Sequence, residues 1–278
     1  MEDSVDLHSV NFWLGTWDGG WLLLPLVSVF GGAWAFTDLA EQGKVLPLAV
    51  TLVLAGWAPL WRAIVTTDWA TPLASWRAWR DADPLPYWPY LQPGTPGALL
   101  YRALGQALSW WRAVGAAVLA LPLRSVFFAL LIALLLSAAL GRLAVLLTVF
   151  LLTLAEFAVL WHDGQGQVGA GWEALALVGV PWLLGASLAG EIVLPVLSMI
   201  VVSFFVGSYT RTGRLAFVGP VVAALFLFWQ GAPFAAGVLL LLAFPGLMLV
   251  INHVEAARYR RAVLPWAFVI LLLFAGVL

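Results

Sequence analysis

Residues 215–250, LAFVGPVVAALFLFWQGAPFAAGVLLLLAFPGLMLV, contain no Asp, Glu, Lys or Arg. As a single helix this run would extend about 54 Å at 1.5 Å per residue. A bilayer offers a hydrocarbon core only about 30 Å thick, which about 20 apolar residues cross. The run must therefore fold back, and Gly231-Ala232-Pro233 supplies the break. Two adjacent membrane helices are predicted, and the solvent around them is lipid.

The same argument applied outward breaks residues 125–161 at Gly141-Arg142. Elsewhere Gly, Pro and charges delimit apolar segments near 21–36, 46–61, 125–140, 143–161, 173–190, 192–209, 215–230, 234–251 and 264–278. Composition agrees: 63% of the 278 residues are hydrophobic and 10% charged, whereas soluble domains carry roughly 45–50% and about 25%. The expected fold is all-α, a polytopic helical membrane protein. It has nine transmembrane helices, or eight if the first segment is re-entrant. The organisation reads as an acidic segment 1–20, two hydrophobic segments over 21–61, a polar interruption 62–124 and a membrane helical domain 125–278.

Orientation follows from the tendency of Lys and Arg to remain in cytoplasmic loops. With 62–124 inside, alternation also places Arg211, Arg214, Arg258, Arg260 and Arg261 inside, leaving Lys44 and Arg142 outside. The side of the amino terminus depends on whether the first segment spans. Residues 1–20 carry Glu2, Asp3, Asp6 and Asp18 but no basic residue, so they lack the positive region of a cleavable signal, and the first hydrophobic segment is expected to stay. The expected location is the inner (cytoplasmic) membrane of a bacterium or archaeon.

Several chemistries are excluded or find no support. The chain has no Cys, so disulfides, thiolate metal sites and cysteine nucleophiles are ruled out. A net charge of -1 argues against nucleic acid as a partner. No phosphate-binding Gly-rich loop, HExxH or GxSxG occurs. Asp81 and Asp83, with Asp68 upstream, form an acidic pair of the kind that holds Mg²⁺ against a diphosphate. A nine-span layout is also that of the UbiA-type prenyltransferases. That family places Asp-rich motifs in two cytoplasmic loops, whereas the second loop here reads SYTRTGR, residues 208–214. An Asp-Pro turn accounts for DADP.

Ionisable residues inside spans are functional candidates by default. Glu156, in LLTLAEFAVLWHD, is the deepest acid, and it is read as a carboxyl hydrogen-bonded to a neighbouring helix rather than a proton or cation carrier. Glu191 falls in a tight connection. His162 and His253, each with an acid nearby, end two helices on the cytoplasmic side; a metal or quinone-headgroup site across those ends competes with plain solvated helix termini. His8 lies far from both. Pro181, Pro195, Pro220 and Pro245 interrupt spans as in transporters, but no polar groups accompany them.

The interruption 62–124 has its own design. WATPLASWRAWR, residues 69–80, interleaves Trp76 and Trp79 with Arg77 and Arg80, which suits a headgroup layer. DADPLPYWPYLQPGTPG, residues 81–97, follows with five prolines that block helix and with Trp88 among them. A second helix fits 98–112, with Leu100, Leu104, Ala107, Leu108 and Trp111 on one face. Eight of the 17 Trp lie between Trp57 and Trp111. They fit a belt at the lipid interface, or packing against a planar quinone or pigment. No cofactor is assigned.

These features fit best an integral membrane subunit that anchors or scaffolds a larger complex, its partners being the bilayer and other membrane-protein subunits. A transport permease is the alternative. An enzyme acting on a lipid-linked substrate ranks third.

Overall fold

A computed structural model describes residues 23–40, 42–86, 92, 94–161, 169–189, 193–211 and 215–278. Among the described residues the regular structure is helical and no strand occurs. Helix α1 is Leu23–Phe36 and α2 runs continuously over Val45–Val65. The short α3, Ala70–Ala78, and α4, Pro96–Trp110, precede α5, Ala120–Leu140, and α6, Arg142–Leu160. Then come α7, Gly171–Ala186, α8, Val193–Tyr209, α9, Leu215–Trp229, α10, Pro233–Ile251, and α11, Ala256–Val277.

Where it is described, each expected apolar segment is helical, and the breaks at Gly141 and Gly231 fall where the sequence requires them. Both glycines have positive φ, 109° and 83°, a region open to Gly at little steric cost. Five helices are long and apolar enough to cross a bilayer: α2, α5, α6, α10 and the Arg258–Val277 part of α11. The other four apolar helices, α1, α7, α8 and α9, have 10–17 residues. Three boundaries differ most from the sequence reading. Helix α2 continues past Trp61 to Val65, and α5 starts at Ala120, which draws Arg124 into the helix. Helix α11 begins at Ala256, eight residues before the expected 264.

Two apolar cores share α1 and α7. One joins Trp182, Phe205, Leu227, Leu239, Tyr259 and Phe274 across α7 to α11. The other joins Val53, Trp57, Ala133, Leu147, Leu151 and Leu184 across α2, α5, α6 and α7. Since lipid is as apolar as Leu, close helix approach rests on small residues and hydrogen bonds. A Cβ on Gly32 would overlap the Trp182 carbonyl oxygen, and one on Gly185 would overlap that of Val29. Helices α1 and α7 therefore cross backbone to backbone.

Polar side chains tie the remaining contacts. Trp57 Nε1 donates to Thr148 Oγ1 at 2.9 Å, joining α2 to α6, and Trp182 Nε1 donates to Ser198 Oγ at 2.9 Å, joining α7 to α8. Tyr209 donates to the Ala243 carbonyl at 3.1 Å and Tyr259 to the Tyr209 carbonyl at 2.7 Å, linking α8, α10 and α11.

The prolines do not break their helices. Pro220, Pro245 and Pro265 sit inside α9, α10 and α11. Before Pro59 and Pro181 the helix widens into π-turns over Leu52–Trp57 and Leu175–Gly179. A proline ring clashes with the carbonyl four residues back, here Ala55 and Leu177. Both lie within the widened turns, which gives that carbonyl room.

Candidate docking surface

The chain leaves the carboxyl end of α2 through Trp69, whose indole donates to the Ile64 carbonyl at 2.7 Å. Asp68 then caps α3, accepting from the Ala70 and Thr71 amides at 3.0 and 3.1 Å. Hydrogen bonds from the Thr71 side chain, then from these backbone amides, hold the Asp68 carboxyl below its ordinary value. At the other end of α3, Arg80 Nη1 donates to the carbonyls of Arg77 and Trp79 at 3.0 and 2.9 Å. A cation at a helix carboxyl end also opposes the helix dipole, so Arg80 works as a cap. Arg77 is exposed.

Two reciprocal Trp–Ser bonds clamp α3 to α4. Trp110 Nε1 donates to Ser75 Oγ at 2.9 Å, and Trp79 Nε1 donates to Ser109 Oγ at 3.2 Å. Trp76 meets Trp110 edge to face with centroids 5.6 Å apart. The segment after α3 is pinned along α4. The Asp83 amide donates to the Gly105 carbonyl at 3.0 Å, while Tyr101 Oη donates to the Leu85 carbonyl at 2.9 Å and accepts from its amide at 3.2 Å. Gly105 permits this approach, since a Cβ there would stand 2.7 Å from the Asp83 carbonyl oxygen. Asp83 also pairs with Arg112 at 3.0 Å, and because the pair is solvent-exposed it adds little stability. Thr95 starts α4 by accepting from the Ala98 amide at 3.3 Å.

This clamp settles which face of α4 is buried. Gly105 and Ser109 turn inward, whereas Leu100 and Leu104 of the expected apolar stripe are exposed together with Leu99, Leu73 and Trp76. The pair thus carries its own folded framework and leaves an aromatic and aliphatic surface exposed, with Arg77 and Arg102 exposed beside it. Trp88 lies outside the described residues.

The remaining candidates are scattered. Glu156 is exposed on the outer face of α6, and among the described residues it has no neighbouring-helix hydrogen bond of the kind expected. His253 occupies a turn with φ 52°. Its amide bonds the Val250 carbonyl and the Val254 amide that of Leu249, at 3.1 and 3.3 Å, the paired bonds of a Schellman helix end. His253 therefore does the work usually given to glycine. His162, His8 and Glu191 lie outside the described residues. Among the described residues no group of three His, Cys, Asp or Glu side chains is placed to hold a metal ion.

Sequence reasoning missed Ser75, Ser109 and Tyr101, the residues that assemble the pair. Their signal was weak, because a polar residue beside Trp in a loop reads as solvated. It also missed Glu173, half-buried at the start of α7, where Arg260 of α11 acts on it electrostatically. Comparisons with protein-family models, curated proteins and solved structures returned no match.

Proposed function

We propose that this chain is a non-catalytic integral membrane subunit that anchors or scaffolds a larger membrane complex, with the α3–α4 pair as its docking surface. In this reading all nine apolar helices cross the inner membrane and α3–α4 lies at the cytoplasmic face. The observation that carries it is the clamp between the two helices. A pre-folded pair presenting Leu73, Trp76, Leu99, Leu100 and Leu104 outward offers an aromatic anchor with flanking Arg, the composition of binding hot spots. Inside the bundle, the buried indole and phenol groups of Trp57, Trp182, Tyr209 and Tyr259 are already committed to partners within the chain.

The test is purification from native membranes in mild detergent, with mass spectrometry of co-purifying chains. Trp76→Leu with Arg77→Gln alters the outward surface and leaves both Trp–Ser bonds in place. Loss of a defined partner from an otherwise folded double variant is the expected result. Full retention of every partner by the double variant would reduce α3–α4 to a lipid-surface anchor.

One observation favours a permease. The π-turns before Pro59 and Pro181 lie in α2 and α7, both packed against α1, and such turns recur at functional sites. Purification of the chain alone, with substrate-dependent uptake into vesicles, would select that reading.

A further inference from the structure

Helices α5 and α6 form a hairpin about Gly141; α5 carries one charge, Arg124, and α6 carries Arg142 at the turn and Glu156 near its other end. Arg124 is half a turn out of phase with Ala133 at 3.6 residues per turn, and the buried stripe of α5 is Ala129, Ala133 and Ser137. It therefore lies on the side of α5 facing away from the bundle, with Phe127, Leu131 and Leu135. Glu156 is exposed on α6 beside Val149 and Leu160, opposite the buried Leu151, Leu154 and Ala155.

The hairpin brings the two charges to one depth. At 1.5 Å per residue Arg124 stands about 25 Å from the turn and Glu156 about 22 Å. Each is about one helical turn inside its helix end. Among the described residues neither takes part in an ion pair. Helix α5 is also the barest of the long spans: 17% of its most apolar stretch is buried, against 39% in α6 and 28–44% across the other four.

An unpaired charge on a lipid-facing surface is costly and ordinarily finds a partner. Lipid phosphates can serve Arg124, but an anionic leaflet supplies no fixed cation to Glu156. A second copy of the same face supplies both. In a twofold dimer whose axis runs along the membrane normal, a patch meets itself, and charges at equal depth on α5 and α6 are brought opposite each other in two reciprocal pairs. We propose that the outer face of α5 and α6 is a homodimer interface in which Arg124 of each copy pairs with Glu156 of the other. The proposal is independent of what α3–α4 binds.

The chain has no Cys, so protein labelled at Ala78→Cys reports stoichiometry without background. Single-molecule photobleaching in liposomes, over a dilution series, gives the dimer fraction. Wild type should be dimeric. Arg124→Glu and Glu156→Arg should each weaken dimerisation by roughly tenfold or more, which corresponds to about 1.4 kcal/mol. The double reversal should restore it. A mixture of Leu131→Cys protein and Val149→Cys protein should form a disulfide between copies on mild oxidation. Thermal unfolding of each variant monitors folding, and Arg124→Gln with Glu156→Gln provides a second pair should a reversal misfold. A monomeric wild type, as when the face meets lipid or another protein, overturns the proposal. So do folded single variants that dimerise like wild type, or a folded double reversal that fails to recover.

Discussion

Gly185→Ala tests the central crossing most directly, because it adds one methyl group where backbone faces backbone. The new Cβ would overlap the Val29 carbonyl oxygen and stand 2.8 Å from the Ala33 amide nitrogen. Neither atom belongs to a side chain that could rotate aside, so α1 and α7 must separate. Separation loosens Leu24, Val29 and Ala33 against Trp182, Leu184 and Ala186, all buried to 2% exposure or less. Overpacking of this kind costs about 1–3 kcal/mol, and a rigid backbone obstacle on the opposing helix places Gly185→Ala at the upper end. Gly237→Ala in α10 is the control, since a Cβ there meets nothing within 4 Å. It should stabilise by roughly 0.5–1 kcal/mol, the usual helical preference for Ala over Gly. Thermal unfolding in mild detergent, followed by Trp fluorescence, compares the two. Equal midpoints for both variants would refute the argument that backbone proximity holds α1 to α7.

Three further outcomes are expected. Single cysteines at Ala78 and Glu255 should react with a membrane-impermeant thiol reagent only after cells are permeabilised, and one at Lys44 should react in intact cells; the opposite pattern inverts the orientation. His253→Gly should leave the end of α10 intact and raise stability by about 1 kcal/mol, because a non-Gly residue in the left-handed region costs about 1–2 kcal/mol, whereas His253→Val should lower the unfolding midpoint. The Asp68 carboxyl has a lowered pKa in the folded state, so its cap is fully present above the ordinary carboxylate range and lost as pH falls through the lowered value; hydrogen exchange at the Ala70 and Thr71 amides should accelerate on acidification, and Asp68→Ala should show fast exchange at every pH.

The membrane class and the positions of the helices were legible because they depend on local quantities. An apolar run longer than a bilayer must turn, and Gly231-Ala232-Pro233 and Gly141-Arg142 mark the turns whatever the chain does elsewhere. Even the design of 62–124, two helices joined by a proline-rich bridge, could be read from Trp, Arg and Pro spacing, although the bridge's middle lies outside the described residues.

What remained hidden depends on pairs far apart in sequence. Trp57 meets Thr148 across 91 positions and Trp110 meets Ser75 across 35, and no periodicity links them. The period-3.6 pattern also fails as a guide to facing direction in lipid, where the outer surface of a helix is as apolar as its core. Thus Glu156, read as bonded to a neighbouring helix, stands on the outside, and Leu100 and Leu104 point away from a helix pair whose buried side is Gly105 and Ser109. By itself the sequence determined a lipid-embedded helical chain and where its helices turn, since hydropathy and chain length act segment by segment. Which faces meet was decided only in the tertiary structure, because close approach in lipid is selected by the fit of Gly, Ala and Ser against particular opposing backbones.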